Sequence, residues 1–342
     1  MATTKSSSMA ARTPANALIS GPSVGGSWDA DDPAPRSVSQ AWFDIVCPKH
    51  DRRIINTNDV KPAIQWERGD VIFNHWKKLL LEAPERCIEI QPASRKVDGF
   101  PQVFDLFVWG SDRILPLWES FKESPVSRLL KTSPIIEAAV ARNEYLFMSR
   151  TRPPAKRNAY DRMLAIHLRR GDFKEACLSL ANWNSTFYSW NLVDSLPDPF
   201  INPPGYTWGK NTPENVEYYL TRCYPTDNFI IDKVNSARDD YERAGRKVGE
   251  DRNLDVLYLL TNDKSGWVDQ LKEVFKRHGW RTIVTTWDLE LDAEQKDVGM
   301  GVDMDIARRA AVFIGNGWSS FTSNIVHRRL VDGKEPISIR FY

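Results

Sequence analysis

The chain has 342 residues, 42% of them hydrophobic, and a formal net charge of +1 from 46 Lys and Arg against 45 Asp and Glu. That length and apolar content suit two globular domains with sizeable cores, and the charge balance gives no basis for binding nucleic acid or an anionic membrane surface. No stretch approaches the length needed to span a bilayer, the four scattered cysteines (Cys47, Cys87, Cys177, Cys223) make neither a C-x-x-C pair nor a zinc pattern, and the sequence contains no phosphate-loop motif and no G-x-G-x-x-G.

Residues 1–40 are rich in Ser, Ala, Pro and Gly and read as a disordered tail. They lack the apolar core of about 7–15 residues that marks a signal peptide. Residues 41–155 read as part of a Rossmann-like domain. The stretch 41–60 is weakly patterned. Val71–Leu81 has helical apolar spacing, Val103–Trp109 (VFDLFVW) reads as a strand, and helices are expected over Ser111–Lys122 and Pro134–Met148. Lys156–Asn158 is the expected linker.

Residues 156–342 alternate more clearly between strand and helix. Met163–Leu168 reads as a buried strand that delivers His167-Leu168-Arg169-Arg170-Gly171-Asp172-Phe173 to its C-terminal tip. Open α/β sheets bind ligands at that edge. Two adjacent guanidiniums there suit a phosphate group, which Arg grips with paired hydrogen bonds. On these residues alone, a solvated Arg pair at a strand end has an equal claim. Arg170-Gly171-Asp172 also spells an integrin-binding tripeptide, too common by chance to carry weight.

Asn182–Tyr206 is a long loop, functional by its length, and Asn184-Ser185-Thr186 within it is a lone glycosylation sequon that chance explains as well as use does. Thr212 and Pro213 open a helix to about Cys223 as cap and first residue, and a further helix spans roughly Asp227–Ala244. Strand Asp255–Leu260, helix Asp263–His278 and strand Thr282–Thr285 imply parallel pairing through a right-handed crossover. At Thr261-Asn262-Asp263, a helix cap by Asn262 or Asp263 explains the residues better than substrate contact does. Then come helix Met304–Ala310, strand Val312–Gly315 and a last edge strand at Ile337–Arg340. Asp303 and Asp305 fit charges near a helix start, and His278 and His327 fit helix surfaces. His50 and His75 have no partner at metal-ligand spacing.

A second motif lies near the C-terminus. Gly315-Asn316-Gly317 signals a turn, and Ser319-Ser320-Phe321-Thr322-Ser323 opens a stretch with Phe321, Ile325, Val326 and Leu330 at helical spacing. An ordinary N-cap needs one hydroxyl, and here four stand in five positions. Free backbone amides and the helix dipole favour an anion there, and the glycines let a ligand approach the backbone.

Together, His167-Leu168-Arg169-Arg170-Gly171-Asp172 and Asp303 followed by Phe313-Ile314-Gly315-Asn316 and Ser319-Ser320-Phe321-Thr322 resemble the GDP-fucose-dependent fucosyltransferases. That family includes protein O-fucosyltransferases, their α1,6- and α1,2-linking relatives and a group of fungal O-fucosyltransferase-like proteins. The likeness covers residues 155–342 well and 60–150 loosely. It implies an α/β, GT-B-like fold: two Rossmann-like domains with parallel sheets facing across a cleft, the C-terminal one holding the nucleotide sugar and the N-terminal one incomplete here. It implies transfer of fucose from the donor substrate GDP-fucose to a protein or glycan hydroxyl, with inversion, no metal and no other cofactor.

The resemblance also implies roles. Arg169 stands at the β-phosphate beside the breaking bond, where a fixed cation lowers the barrier. His167 and Asp303 stand at the guanine, whose N1–H and 2-amino group a carboxylate accepts together. Ser319, Ser320, Phe321 and Thr322 form the phosphate-binding loop. Arg170 and Asp172 complete the wall near the sugar or hold Arg169. No catalytic base is assigned. Members work in the ER–Golgi lumen, yet this sequence shows neither signal peptide nor anchor. The family's first-domain turn, G-G-F-x-N-Q-R or G-F-H-N-Q-R, has no counterpart; Gly25-Gly26-Ser27-Trp28 has the glycines without a strand or Asn-Gln-Arg. Two further readings follow: a homologue that binds GDP or a GDP-sugar without turning it over, and a truncated product.

Overall fold

The computed structural model describes residues 18–20, 40–92, 103–104, 106–128, 130–148, 158–205 and 209–342. Most of the 1–40 tail, Gly25 to Trp28 and Lys156 lie outside them. The strands are β1 (Ile19–Ser20), β2 (Arg53–Asn56), β3 (Ile88–Gln91), β4 (Lys131–Thr132), β5 (Met163–Leu168), β6 (Val256–Thr261), β7 (Thr282–Thr285), β8 (Val312–Gly315) and β9 (Ile339–Phe341).

The second half is built on one five-stranded sheet in the order β7-β6-β5-β8-β9, every pair parallel. β5 and β6 are buried along their whole length. Strands covered by helices on both faces must be apolar on both, which is why MLAIHL and VLYLLT are near-continuous apolar runs. Alternation divides them between two cores. Met163, Ala165 and Tyr258 join one. Leu164, Ile166 and Leu259 join the other, with Ile230 and Val234 of helix Asp227–Val248 and Leu271 and Phe275 of helix Gly266–Arg277. Helices Gly299–Arg309 and Ser320–Val331 cover the first face through Val302, Ile306, Ile325 and Val326.

The first half has a parallel pair, β2 with β3, an antiparallel pair, β1 with β4, and helices Gly69–Leu81 and Pro134–Asn143. Its apolar residues Ile55, Trp76, Ile114 and Ile136 belong to the same hydrophobic cluster as Met163 and Phe313. The described part of this half therefore packs on the main sheet's own core.

Local readings change at several points. The expected strand Val103–Trp109 is a helical turn over Leu106–Trp109; a short apolar run carries no period that separates the two. Ser111–Lys122 is a 3-10 segment, Asp112–Leu117, followed by helix Trp118–Lys122, because Pro116 removes an amide donor. Helix Pro134–Asn143 gives way to a 3-10 turn at Glu144–Phe147. The helix expected from Met304 begins at Gly299, its glycines overridden by packing of Val302. The cysteines, scattered in sequence, pair in space as Cys47–Cys87 and Cys177–Cys223. The second bridge ties helix Phe173–Asn182 to the end of helix Pro213–Cys223.

A buried arginine stands where the two late helices meet. Arg329 is fully buried and donates to the carbonyls of Ala307, Ala310, Ala311 and Ser338. It satisfies the open end of helix Gly299–Arg309 and links it to the entries of β8 and β9. Burial lowers its guanidinium to about 9.

Candidate functional site

Counted along the sheet, the central strand β5 comes first in the chain, two later strands lie on one side and two on the other. Strand order thus reverses between β5 and β8. In open parallel sheets the crevice at such a point, beyond the C-terminal strand ends, is where ligands sit. A cavity of about 920 Å3 occupies it.

From the tip of β5 come His167 and Arg169; from the turn after β8 come Ser319, Ser320 and Phe321; helix Gly299–Arg309 supplies Asp303. The two sequence motifs therefore meet around one space. Among the charged groups on its wall are Arg169, Lys264 and Lys296 as cations and Asp303 as carboxylate.

The chain leaves β5 through a turn at Gly171, whose φ of 67° suits glycine. Arg169 lines the cavity, its Nη2 donating to Asp172 Oδ2 at 3.1 Å, with the Asp172 side chain 74% exposed. Arg170 turns the other way. Its buried guanidinium lies between the rings of Tyr224 (4.7 Å) and Trp267 (4.3 Å) and 3.5 Å from Asp227, in a separate pocket of about 290 Å3. The adjacent guanidiniums do not converge on one phosphate, because neighbouring side chains of an extended segment point to opposite sides.

His167 is buried, its Nδ1 3.1 Å from Thr322 Oγ1 and its ring 4.7 Å from that of Phe321. Burial, reinforced by the Arg169 charge, lowers the imidazole to about 3, so the ring is neutral at physiological pH. Thr322 supports His167 from behind and does not line the cavity. Ser319 is the N-cap of helix Ser320–Val331, its Oγ accepting from the Thr322 amide. The amides of the first turn, those of Ser320 and Phe321 among them, are the ones a helix start leaves without intrahelical acceptors. Gly317 allows this turn to close, since a Cβ there would meet the Phe187 ring at 2.3 Å.

Asp303 is buried. Its Oδ1 accepts from the Tyr258 hydroxyl at 2.5 Å and its Oδ2 from the Thr286 hydroxyl at 2.9 Å. Burial pushes the carboxyl up to about 6, against the pull of those two bonds. Burial and the neighbouring Asp303 charge hold the Tyr258 phenol well above its usual value, so it remains a donor.

Other expectations resolve differently. Thr261 and Asn262 line the cavity, while Ser265 caps the helix; Asn262 accepts from the Arg170 amide, and Asp263 accepts from the Ser265 amide. Asp305, mid-helix, accepts from Thr132 and Arg309. His327, expected on a surface, is buried with Nε2 2.9 Å from Ser127 Oγ. His278 is exposed. No cluster of three or more His, Cys, Asp or Glu able to hold a metal occurs among the described residues, and no described helix is long and apolar enough to cross a membrane.

Tyr258, Thr286 and Trp287 escaped the sequence reading. Tyr258 is the polar residue inside an apolar strand, and Thr286-Trp287 directly follows a strand end, the same signal that marked Arg169.

No family model matches the chain, and no curated protein does. Solved structures to which it is similar include several of POFUT1. One, in complex with GDP-fucose, shares 16% identity at a TM-score of 0.41, the match covering 79% of this chain and 58% of that one. Another, in complex with GDP, shares 14% at a TM-score of 0.44, covering 90% and 79%. This chain thus spans under two thirds of the first.

Proposed function

We propose that this protein binds GDP-fucose in the cavity between β5 and β8 and transfers fucose to a protein or glycan hydroxyl with inversion. The carrying observation is the meeting of Arg169 with the Ser319–Phe321 helix start around one space large enough for a nucleotide sugar. Breaking the sugar–phosphate bond leaves negative charge on GDP. A guanidinium and a helix N-terminus, already in place, stabilise that charge without reorganising. Asp303 then receives the guanine edge, and His167, neutral and anchored by Thr322, forms part of the same wall. The hydroxyl approaches the anomeric carbon opposite the departing GDP. The identity of the sugar rests on the motif resemblance.

One observation favours a second reading, a GDP-sugar-binding protein without turnover. Among the described residues, those lining the cavity run from His167 to Phe321, and none precedes His167. Calorimetry with GDP tests both readings together: no binding to the intact chain refutes both. Incubation with GDP-fucose and candidate acceptors, followed by measurement of released GDP, separates them.

A further inference from the structure

The carboxylate of Asp303 is held from two sides before any ligand arrives. Tyr258, buried in the middle of β6, donates to Oδ1, and Thr286, in the turn after β7, donates to Oδ2. The direction of the second bond is set by the ionised carboxylate, which can only accept, while Thr286 Oγ1 itself accepts from the Thr261 amide at 3.2 Å. A carboxylate offers about four acceptor positions, two per oxygen. With one used on each oxygen, one remains on each. An ionised Asp303 thus offers the cavity two adjacent acceptors in a fixed plane.

The next residue supplies a face. Trp287 lines the same cavity and is 46% exposed, yet its indole is not free to swing: Nε1 donates to the Asp263 carbonyl at 2.6 Å, and the Lys264 ammonium stands 4.2 Å from the ring centroid. A flat ring beside a two-acceptor edge is complementary to a planar heterocycle with two adjacent N–H donors. Guanine has that pair. Hypoxanthine keeps N1–H but lacks the 2-amino group, and adenine sets an acceptor beside its amino group.

Resting on the nucleotide reading above, we infer that Thr286 and Trp287 are the base-selecting element of this site. Thr286, with Tyr258, is a positioning residue that presents Asp303 to the guanine edge, and Trp287 touches the face of the base. A purely structural role for Thr286, tying helix Gly299–Arg309 to the end of β7, would lower stability and leave base preference untouched.

The test is calorimetric titration of GDP, IDP and ADP into the intact chain and into Thr286→Val, Thr286→Ser and Trp287→Ala, with circular dichroism on each. A site built around two donors rejects a base lacking one, and a hydrogen bond to a charged group is worth roughly tenfold or more in affinity. The intact chain is expected to prefer GDP over IDP by about tenfold or more. Thr286→Val, close in shape, should reduce that preference to about threefold or less, and Thr286→Ser should restore it. Trp287→Ala should weaken GDP and IDP equally, by about tenfold, and leave their ratio unchanged. Equal binding of GDP and IDP by the intact chain, or an unaltered ratio in folded Thr286→Val, overturns the inference and leaves the GDP site standing. Absence of any GDP binding by the intact chain overturns the site and the inference together.

Discussion

Replacing Arg169 with Ala tests the diphosphate assignment at its narrowest point. In the structure this guanidinium is bound to Asp172, with side chains 37% and 74% exposed. So open an ion pair is worth about 0–1 kcal/mol. Asp172 is therefore a weak competitor, and a phosphate entering the cavity can take the guanidinium from it. A hydrogen bond between charged groups contributes about 1.5–3 kcal/mol, so Arg169→Ala should weaken GDP binding by about 10- to 150-fold. GMP has no β-phosphate, and its affinity should fall less than about threefold. Asp172→Ala should leave GDP affinity within about fivefold, since it removes only an exposed pair. Calorimetry with GDP and GMP on the three proteins reads all of this. Equal losses for GMP and GDP, or unchanged GDP affinity in folded Arg169→Ala, would refute the β-phosphate role.

GDP affinity should fall with acidity around pH 6: the guanine edge needs Asp303 ionised, and burial has raised its carboxyl to about 6. Each pH unit below that value should cost about tenfold. Of its surroundings, Tyr258 stays a protonated donor and His167 stays neutral down to about 3, so the loss is assigned to Asp303; affinity flat from pH 5 to 7.5 in calorimetry would contradict this. Arg329→Leu should destabilise the fold by at least about 3 kcal/mol in urea titration, because it strands several buried carbonyls. Removing the Cys177–Cys223 bridge, which spans 46 residues, should cost about 4 kcal/mol by the chain-entropy relation, read as a lower urea midpoint. Gly317→Ala drives a methyl into the Phe187 ring; it should cost about 1–3 kcal/mol and weaken GDP binding as well, whereas Arg169→Ala should weaken GDP binding alone.

The legible parts of this sequence were those whose signals are local and strong. β5, β6 and β8 were readable because a parallel strand buried on both faces is a near-continuous apolar run, and helix Pro213–Cys223 because Thr212 and Pro213 mark its start. The site was legible wherever a strand end met unusual chemistry, as at Arg169 and Ser319. What stayed hidden depends on pairings across the chain. Nothing near Tyr258 or Thr286 announces that both grip Asp303, and nothing near Cys177 names Cys223. Arg170 shows the complementary error. Two adjacent arginines look like one phosphate grip, yet in three dimensions Trp267 and Tyr224 take the second.

The same geometry explains why affinity and turnover must be tested apart. Holding a leaving group needs only groups that meet its charge, and Arg169, the Ser319–Phe321 helix start and Asp303 all come from the segment 169–321. Transfer needs more: an acceptor hydroxyl held on the far side of the anomeric carbon, aligned for displacement. Among the described residues none before His167 lines this cavity, so the wall that would place that hydroxyl is not among the groups proposed to bind the nucleotide. A protein with the donor side alone would bind GDP as tightly as one with both sides, respond identically to Arg169→Ala, and show the same loss below pH 6. GDP released from GDP-fucose at a rate that rises with added acceptor would mean that a second wall is completed in solution. A rate indifferent to acceptor, at the level of spontaneous hydrolysis, would mean that the chain holds the nucleotide sugar and does not use it.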